Sequence, residues 1–330
     1  MSPQDHDANR IEASVIVVTH NNQSLIADCL RSIDGATRVN SYETIVVDNA
    51  SSDGTISAIP DDTTARVIPL DTNVGFAAAT NAGIEASRGS LIVLVNSDAF
   101  PDPGSIDGLI DAINELPRAG IVGGRLRYPD GRLQPSVGRF PSLHGGLWVA
   151  LFLHRLPLAG RSGIGISAHP ALYRSRQAVD WVTAAFCIAR REVAALPAHR
   201  FMYGEDVAWA LASRQAGFEV WLDPRASAVH IGRASVDQSR NPGFAQRRRV
   251  QFELEWFGRR GRLCQIAARA VLVVHAVVRL AVFGASGAVQ RRQDRRVSEN
   301  AALLRAAFSP PQAEPEDTDR IAAKSDPLRC

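Results

Sequence analysis

Across the first hundred residues, short unbroken apolar runs alternate with stretches of helical period, and this alternation limits the possible folds more than any other feature. The runs read ASVIVVT, ETIVVD, ARVIPL and SLIVLVN, with helical stretches at 24–33 and 75–87 and a short one after residue 54. A strand that is apolar on both faces needs cover on both faces, and strands joined through helices run parallel. The expected fold class is therefore α/β, with a Rossmann-like, mostly parallel central sheet flanked by helices. With 45% of 330 residues apolar, the chain has ample material for such a core.

Ligands of open parallel sheets gather outside the carboxyl ends of the strands. Short polar residues collect there in this chain: Thr19-His20-Asn21-Asn22 after the first run, Asp48 through Asp53 and Gly54 after the second, and Asn96-Ser97-Asp98 after the fourth. Each group also has a plain structural reading. The loop from Asp48 can hydrogen-bond a base or ribose, or serve as an Asx-rich turn capping the next helix. Asn73-Val74-Gly75-Phe76, with Asn81 beyond it, can simply start a helix, or can offer free backbone amides to a phosphate. Asp98 would repel a diphosphate unless a divalent cation stood between them, and otherwise caps the turn before Pro101.

Two later features carry chemistry. Gly204-Glu205-Asp206 opens a helical stretch at 204–217, where paired acids suit the helix dipole. Neighbouring residues at a helix start point in different directions, so at most one of the two can act as a general base. His230 ends the apolar run ASAVHIG, where a lone histidine is either structural or a neutral ligand for Mn2+ or Mg2+ beside a carboxylate. The runs 218–222 and 226–230 read as two short strands, and 179–189 as strand. Residues 143–158 fit a core helix or an acceptor-side or membrane-facing loop equally well.

The net charge of +3 is unevenly distributed. Residues 240–305 hold 14 arginines and four acids, giving +10, against −5 before them and −2 after. A basic segment can meet nucleic acid, but this one contains the apolar run 266–283, which favours an anionic membrane surface and no nucleic acid. On a helical wheel Arg262, Gln265, Arg269, His275 and Arg279 share one arc, so a helix lying in the membrane plane is expected. The alternative is a helix packed on the catalytic domain or on a second copy of the chain as a homodimer. The four cysteines are far apart, without metal-ligand or disulfide-framework spacing, and read as ordinary thiols. The polar stretch 1–12 lacks the pattern of a secretory signal, which gives a cytoplasmic expectation, peripheral on the inner face of the plasma membrane. The expected domains are a polar arm (1–12), a catalytic domain (13–240, with a nucleotide-binding half 13–100 and an acceptor-binding half 101–240), a basic, apolar, helical membrane-associating extension (241–305), and a disordered tail (306–330).

Taken in order, SVIVVTHNN, ETIVVDNASSDGT, NVGFAAATNAGIEASRGSLIVLVNSDAFPDPGSI, DWVTAAFCIARREV and FMYGEDVAWALASRQAGFEVWLDPRASAVHIG resemble glycosyltransferase family 2, whose catalytic domain has the GT-A fold. RLRYPDGRLQPSVGRFPSL is further similar to the branch that uses dTDP-L-rhamnose to build bacterial surface polysaccharides. The resemblance implies that Thr19, Asn21 and Asp48 hold base and ribose with Asp53 nearby, and that Asn73, Asn81, Asn96 and Ser97 belong to the donor side. It implies Asp98 and His230 as ligands of Mn2+ or Mg2+, Asp206 as catalytic base with Glu205 in support, and Trp181 with Thr183 on the sugar or acceptor side. Two positions depart from the family pattern. Asn96 is neutral where the metal motif begins with an acid, and Ala184 stands where glycine is commoner.

The implied activity is an inverting transfer of a sugar from a nucleotide-sugar donor, dTDP-rhamnose first, onto a saccharide or polyprenyl-diphosphate-linked acceptor in cell-envelope glycan synthesis. A UDP-sugar donor and a non-catalytic nucleotide-sugar-binding scaffold are the alternatives. An exposed aspartate is ionised at neutral pH, so Asp206 is expected to need position more than a raised pKa.

Overall fold

The computed structural model describes residues 11–37, 41–153, 165–166, 169–198, 204–232, 244–285 and 300–308. The chain divides into two compact units, Met1–Arg139 with Ile166–Gln238, and Phe140–Gly165 with Ser239–Cys330. In chain order the elements are β1 (Ala13–Thr19), α1 (Ile26–Ala36), β2 (Tyr42–Asp48), β3 (Arg66–Pro69), α2 (Phe76–Ala86), β4 (Leu91–Asn96), β5 (Ala99–Pro101), α3 (Ser105–Glu115), β6 (Ala119–Arg127), β7 (Leu133–Gln134), β8 (Val137–Arg139), α4 (Leu143–Ala150), β9 (Gly165–Ile166), β10 (Gln177–Val179), β11 (Trp181–Val182), β12 (Phe186–Arg190), α5 (Glu205–Gln215), β13 (Glu219–His230), α6 (Phe244–Gly258) and α7 (Arg262–Ala285).

The first unit is built on a sheet ordered β10-β13-β6-β12-β4-β1-β2-β3, with β5 on β13 and β7 on β6. β3, β2, β1 and β4 run parallel, as do β6 and β13, and β12 lies antiparallel between β4 and β6. The expected α/β fold with a mostly parallel sheet is the one found. Its continuous apolar runs are explained by cover on both faces. Val15, Val17, Val46, Val93 and Val95 join Ile26, Leu30 and Ile33 of α1 and Ile106, Ile110 and Ile113 of α3 in one core. On the opposite face α2 lies so close that a methyl on Gly83 would stand 2.6 Å from Ile16 Cγ2 and 3.0 Å from Val47 Cγ2. Each fully buried Val or Ile here contributes about 1.5–3 kcal/mol of transfer free energy.

Adjacent arginines at the end of β12 finish two helices. Arg190 donates to the carbonyls of Ile113 and Ala119 at the end of α3 and the start of β6. Arg191 donates to the Ile84 and Gly89 carbonyls and to Ser87 Oγ, past the end of α2. Helix C-termini carry orphan carbonyls and a partial negative charge, which cationic side chains complement.

The runs expected as two strands at 218–222 and 226–230 form the single strand β13, whose pairing with β6 is irregular between Asp223 and Ser227. Pro224 donates no hydrogen bond. The buried Asp223 carboxylate accepts from Arg176 and Arg225, which holds the bulge in shape.

In the second unit, Phe140 stacks on Trp256 with ring centroids 5.5 Å apart, and Trp256 Nε1 donates to the Pro141 carbonyl. α4 packs on α7 so tightly that a methyl on Gly146 would meet Val271 Cγ1 at 2.8 Å. Residues 140–153 therefore pack with the C-terminal helices. α7 is long and apolar enough to cross a membrane by length and composition over Arg262–Val282. Three of its polar side chains turn inward: Gln265 donates to the Leu254 carbonyl, Arg269 to the Ala307 carbonyl, and Arg279 lies 4.8 Å above the Phe152 ring. Between Arg262 and Val282 at its ends, the exposed side chains are Leu263, Ile266, Ala270, Val274, Val277 and Ala281, with Leu263 82% and Ile266 61% exposed. Spacings of three and four place these six on one stripe. Cys29 and Cys187 are buried free thiols. Cys264 is disulfide-bonded, which corrects its reading as an ordinary thiol.

Candidate active site

The parallel register sets the strand ends side by side: Thr19 lies opposite Asp48 and Val18 opposite Asn96. Thr19 Oγ1 and Asp48 Oδ1 are buried there without a hydrogen-bond partner. A buried polar atom left unpaired costs about 1–3 kcal/mol, so two at one strand edge make it a candidate ligand position. Asp48 Oδ2 accepts from the Ser51 amide, so Oδ1 is the oxygen without a partner.

The loops that frame this edge are cross-tied by asparagines. Asn21 adopts a left-handed conformation at φ 50°, which asparagine tolerates, and its Oδ1 accepts from the amides of Ser52 and Asp53. Asn22 takes Thr55 Oγ1 with its amide and donates from Nδ2 to Ser97 Oγ at 2.9 Å, linking all three loops. Asn49 grips Asn73 Oδ1 and the Val74 amide, and Asn73 Oδ1 also accepts from Gly75, so the start of α2 is tied to the β2 loop. Burial works to raise the Asp53 carboxyl, but hydrogen bonds from Thr55 and Gln23 outweigh it and hold the group below the usual carboxylate range. A hollow of about 520 Å3 beside these loops is lined by Asn21, Gln23, Ser24, Asp53 and Ala58, and not by Thr19 or Asp48. Asn81 stands apart from this edge, since both ends of its amide group bond the Leu196 backbone.

Asp98 and His230, 132 residues apart in sequence, meet because β5 begins at the next residue and pairs Ala99 with His230 on β13. The Ile231 amide donates to the Asp98 carbonyl, and His230 Nε2 lies 3.1 Å from Asp98 Oδ1. Gln134 Oε1 lies 2.8 Å from His230 Nδ1, and Asn96 Nδ2 is 3.4 Å from Nε2. Among the described residues no group of three or more His, Cys, Asp or Glu surrounds a metal position. Two protein donors nevertheless suit a hard divalent cation, which commonly binds through one or two carboxylates plus substrate phosphates and water.

Asp206 sits in the first turn of α5, which Gly204 enters at φ 95°. Its Oδ1 accepts from the Ala184 amide at 3.2 Å, while the next residue, Ala185, gives its carbonyl to the Asn96 amide at 3.0 Å. One two-residue turn thus ties the helix bearing the acid to the strand leading to Asp98. Burial, and then the neighbouring Glu205 carboxylate, push the Asp206 carboxyl well above the usual carboxylate range, against the Ala184 hydrogen bond. Asp206 is half-buried rather than exposed, because the helix start is packed beneath the β11–β12 turn, and this corrects the expectation of an ordinary aspartate: desolvation is the largest cause of its shift. Beside that turn, Thr183 Oγ1 is buried and unpartnered. Trp181 is buried, with its indole N–H on the Arg139 carbonyl.

The sequence model of Glycosyl transferase family 2 matches residues 14–180. The chain belongs to that family. It is 30% identical over 236 residues to N-acetylglucosaminyl-diphospho-decaprenol L-rhamnosyltransferase of Mycobacterium tuberculosis (strain ATCC 25618 / H37Rv), covering 66% of this chain and 75% of that one. It is 32% identical over 125 residues to Glycosyltransferase AglE of Haloferax volcanii, covering 36% of this chain and 41% of that one. Mannosyltransferase PcManGT from Pyrobaculum calidifontis, solved with GDP-Man and Mn2+, superposes with a TM-score of 0.54 at 18% identity, over 91% of this chain and 87% of that one. GalNAc-T7 with UDP, GalNAc and Mn2+ gives 0.53 at 13% identity, over 89% and 55%. These likenesses show the GT-A fold, and family membership makes the chain a glycosyltransferase.

The family-2 match ends before α5 and β13, so Asp206 and His230 are joined to the strand edge of Thr19, Asp48 and Asn96 by the pairings just described. Asn22, Asn49 and Gln134 also tie this site together. Asn22 and Asn49 stand in the strand-end polar groups that the sequence marks, without a role assigned there, and Gln134 carries no sequence signal of its own.

Proposed function

We propose that the chain is an inverting, divalent-metal-dependent rhamnosyltransferase that moves L-rhamnose from dTDP-L-rhamnose onto a lipid-linked acceptor. The observation that carries the reaction class is the Ala184–Ala185 turn, which holds Asp206 on one side and the Asn96 strand end on the other. The sugar and the lipid-linked acceptor are supported by the mycobacterial relative's name and by the likeness of RLRYPDGRLQPS to the rhamnosyl branch.

In the proposed reaction Thr19 Oγ1 and Asp48 Oδ1 take base and ribose, which satisfies two buried atoms. The Ala184 amide fixes Asp206 Oδ1 and leaves Oδ2 to receive the acceptor's hydroxyl proton. The acceptor oxygen bonds to the anomeric carbon as the bond to the nucleoside diphosphate breaks, inverting the configuration. Asp98 and His230 would hold Mn2+ or Mg2+, which as a Lewis acid neutralises charge on the departing diphosphate. A carboxylate raised in pKa is a stronger base, so burial of Asp206 serves the proton transfer.

The test is nucleoside diphosphate release by the full chain with membranes bearing lipid-linked acceptors, offered dTDP-rhamnose or UDP sugars, with and without Mn2+ or Mg2+. Metal-dependent release from dTDP-rhamnose alone is expected. Release from a UDP sugar instead overturns the donor, and release from none leaves the scaffold alternative.

An acceptor on a lipid places the enzyme at a bilayer, and α7 supplies a surface for it. Its outward stripe is wholly apolar from Leu263 to Ala281, and Arg259 and Arg262 stand at its start, where anionic headgroups would lie. Arg260 does not join them, since its guanidinium lies 4.7 Å over the Trp256 ring. Full-length protein should float with phosphatidylglycerol-containing liposomes, and Val274→Asp with Val277→Asp should weaken flotation at least about tenfold, since each valine contributes about 1.5 kcal/mol or more on burial. Flotation unchanged by the pair would sink this surface.

A further inference from the structure

We infer that Gln134 is a positioning residue for the metal, fixing the imidazole of His230 in the Nδ1–H form with its Nε2 lone pair turned to Asp98. The inference rests on the proposed reading of Asp98 and His230 as metal-holding residues. Gln134 makes two bonds to the same residue: Oε1 lies 2.8 Å from His230 Nδ1, and Nε2 donates to the His230 carbonyl at 3.3 Å. A carbonyl only accepts, so the amide nitrogen must face it, and the amide oxygen must then face Nδ1. That oxygen only accepts as well, so Nδ1 carries the proton. Nε2 is left 3.1 Å from Asp98 Oδ1 and a longer 3.4 Å from Asn96 Nδ2, and its lone pair and the carboxylate repel unless a proton or cation joins them.

The placement of Gln134 is built by local sequence. Tyr128-Pro129-Asp130-Gly131-Arg132 closes a tight hairpin, with the Tyr128 amide on the Arg132 carbonyl and Gly131 at φ 80°. The hairpin returns the two-residue strand β7 onto β6, with Gln134 opposite Leu126 and buried. Past His230, a methyl on Gly232 would stand 3.0 Å from Gln134 Nε2, so a side chain there would crowd the amide. Both ends of this buried carboxamide are thus committed to His230. Metal-bound histidines are commonly held through their second nitrogen, and loss of that partner lowers metal affinity by about 10–100-fold.

The test is titration of the full chain with Mn2+ alone and with dTDP or UDP, following free Mn2+ by electron paramagnetic resonance. The set is wild type, Gln134→Leu, Gln134→Glu and His230→Ala, each checked for folding by circular dichroism. Gln134→Leu should weaken Mn2+ binding about 10–100-fold. Gln134→Glu keeps an acceptor for Nδ1–H and should stay within about threefold of wild type. If His230→Ala binds poorly while Gln134→Leu binds like wild type, the inference on Gln134 fails alone. The same holds if Gln134→Glu is as weak as Gln134→Leu. If wild type takes up no Mn2+, or His230→Ala matches it, the metal reading fails and the inference with it.

Discussion

Asp206→Asn should lower turnover about 10²- to 10⁴-fold, the usual contribution of a positioned general base, while leaving donor binding in place. Asparagine keeps an oxygen for the Ala184 amide, so the turn that links α5 to the Asn96 strand end stays closed. The same substitution has a second, opposite effect. Burial and Glu205 raise the Asp206 carboxyl, so the folded state prefers it protonated. Wild-type stability from this group is fully present below the unfolded value near ~4 and is lost as pH rises through the raised folded value. Asparagine carries no such charge. Asp206→Asn should therefore match wild type in stability near pH 4 and exceed it near pH 9, by an amount on the order of 1 kcal/mol. In wild type, kcat/KM should fall with decreasing pH through a limb well above the ordinary carboxylate range, and the residual activity of the variant should lack it. Thermal melts at the two pH values and a pH–rate profile decide the matter. Near-normal turnover in a folded variant would remove Asp206 as the base.

The sheet was legible because its signal is local. ASVIVVT, ETIVVD and SLIVLVN became β1, β2 and β4 within a residue or two, since a run buried on both faces leaves no polar alternation to misread. The second half was harder for a physical reason. β13 reads as two pieces because Asp223 and Pro224 interrupt its apolar pattern, and only the arginines on Asp223 show why the strand continues. Residues 143–158 gave no decision, because the helix on which α4 packs, α7, is more than a hundred residues away.

The same division holds at the site. Thr19 and Asp48 end strands, and Asp98 follows two residues after the end of a third, in a register set by the parallel fold, so their neighbourhood could be anticipated. Asn22 and Gln134 could not, because their partners Ser97 and His230 are 75 and 96 residues distant and depend on loop and hairpin geometry. Nor could the raised carboxyl of Asp206, since desolvation of a helix start depends on what covers it, and the cover here is the Thr183–Ala184–Ala185 turn. Ala184, a departure from the family pattern, acts through its backbone amide, which any residue but proline supplies.

Asp98→Asn should cost about 3–4 kcal/mol of transition-state stabilisation, or roughly 10²- to 10³-fold in turnover, by a route distinct from that of Asp206. With Asn96 already neutral, Asp98 is the one acid of the Asn96-Ser97-Asp98 strand end, and His230 Nε2 faces its carboxylate at 3.1 Å. A divalent cation held by an imidazole and an amide loses its anionic protein ligand, and hard cations depend strongly on such oxygens. The fold should survive, because the Asp98 carbonyl, not its side chain, accepts from Ile231. The two variants then separate by their dependences. Asp98→Asn should need far more Mn2+ for its residual activity and recover in part at high Mn2+, with the acid limb of the pH profile intact. Asp206→Asn should keep the wild-type Mn2+ requirement and lose that limb. If Asp98→Asn shows an unchanged Mn2+ requirement, the acid does not hold the metal. The His230–Asp98 contact would then be a buried structural pair, and neutralising the diphosphate would fall to other residues.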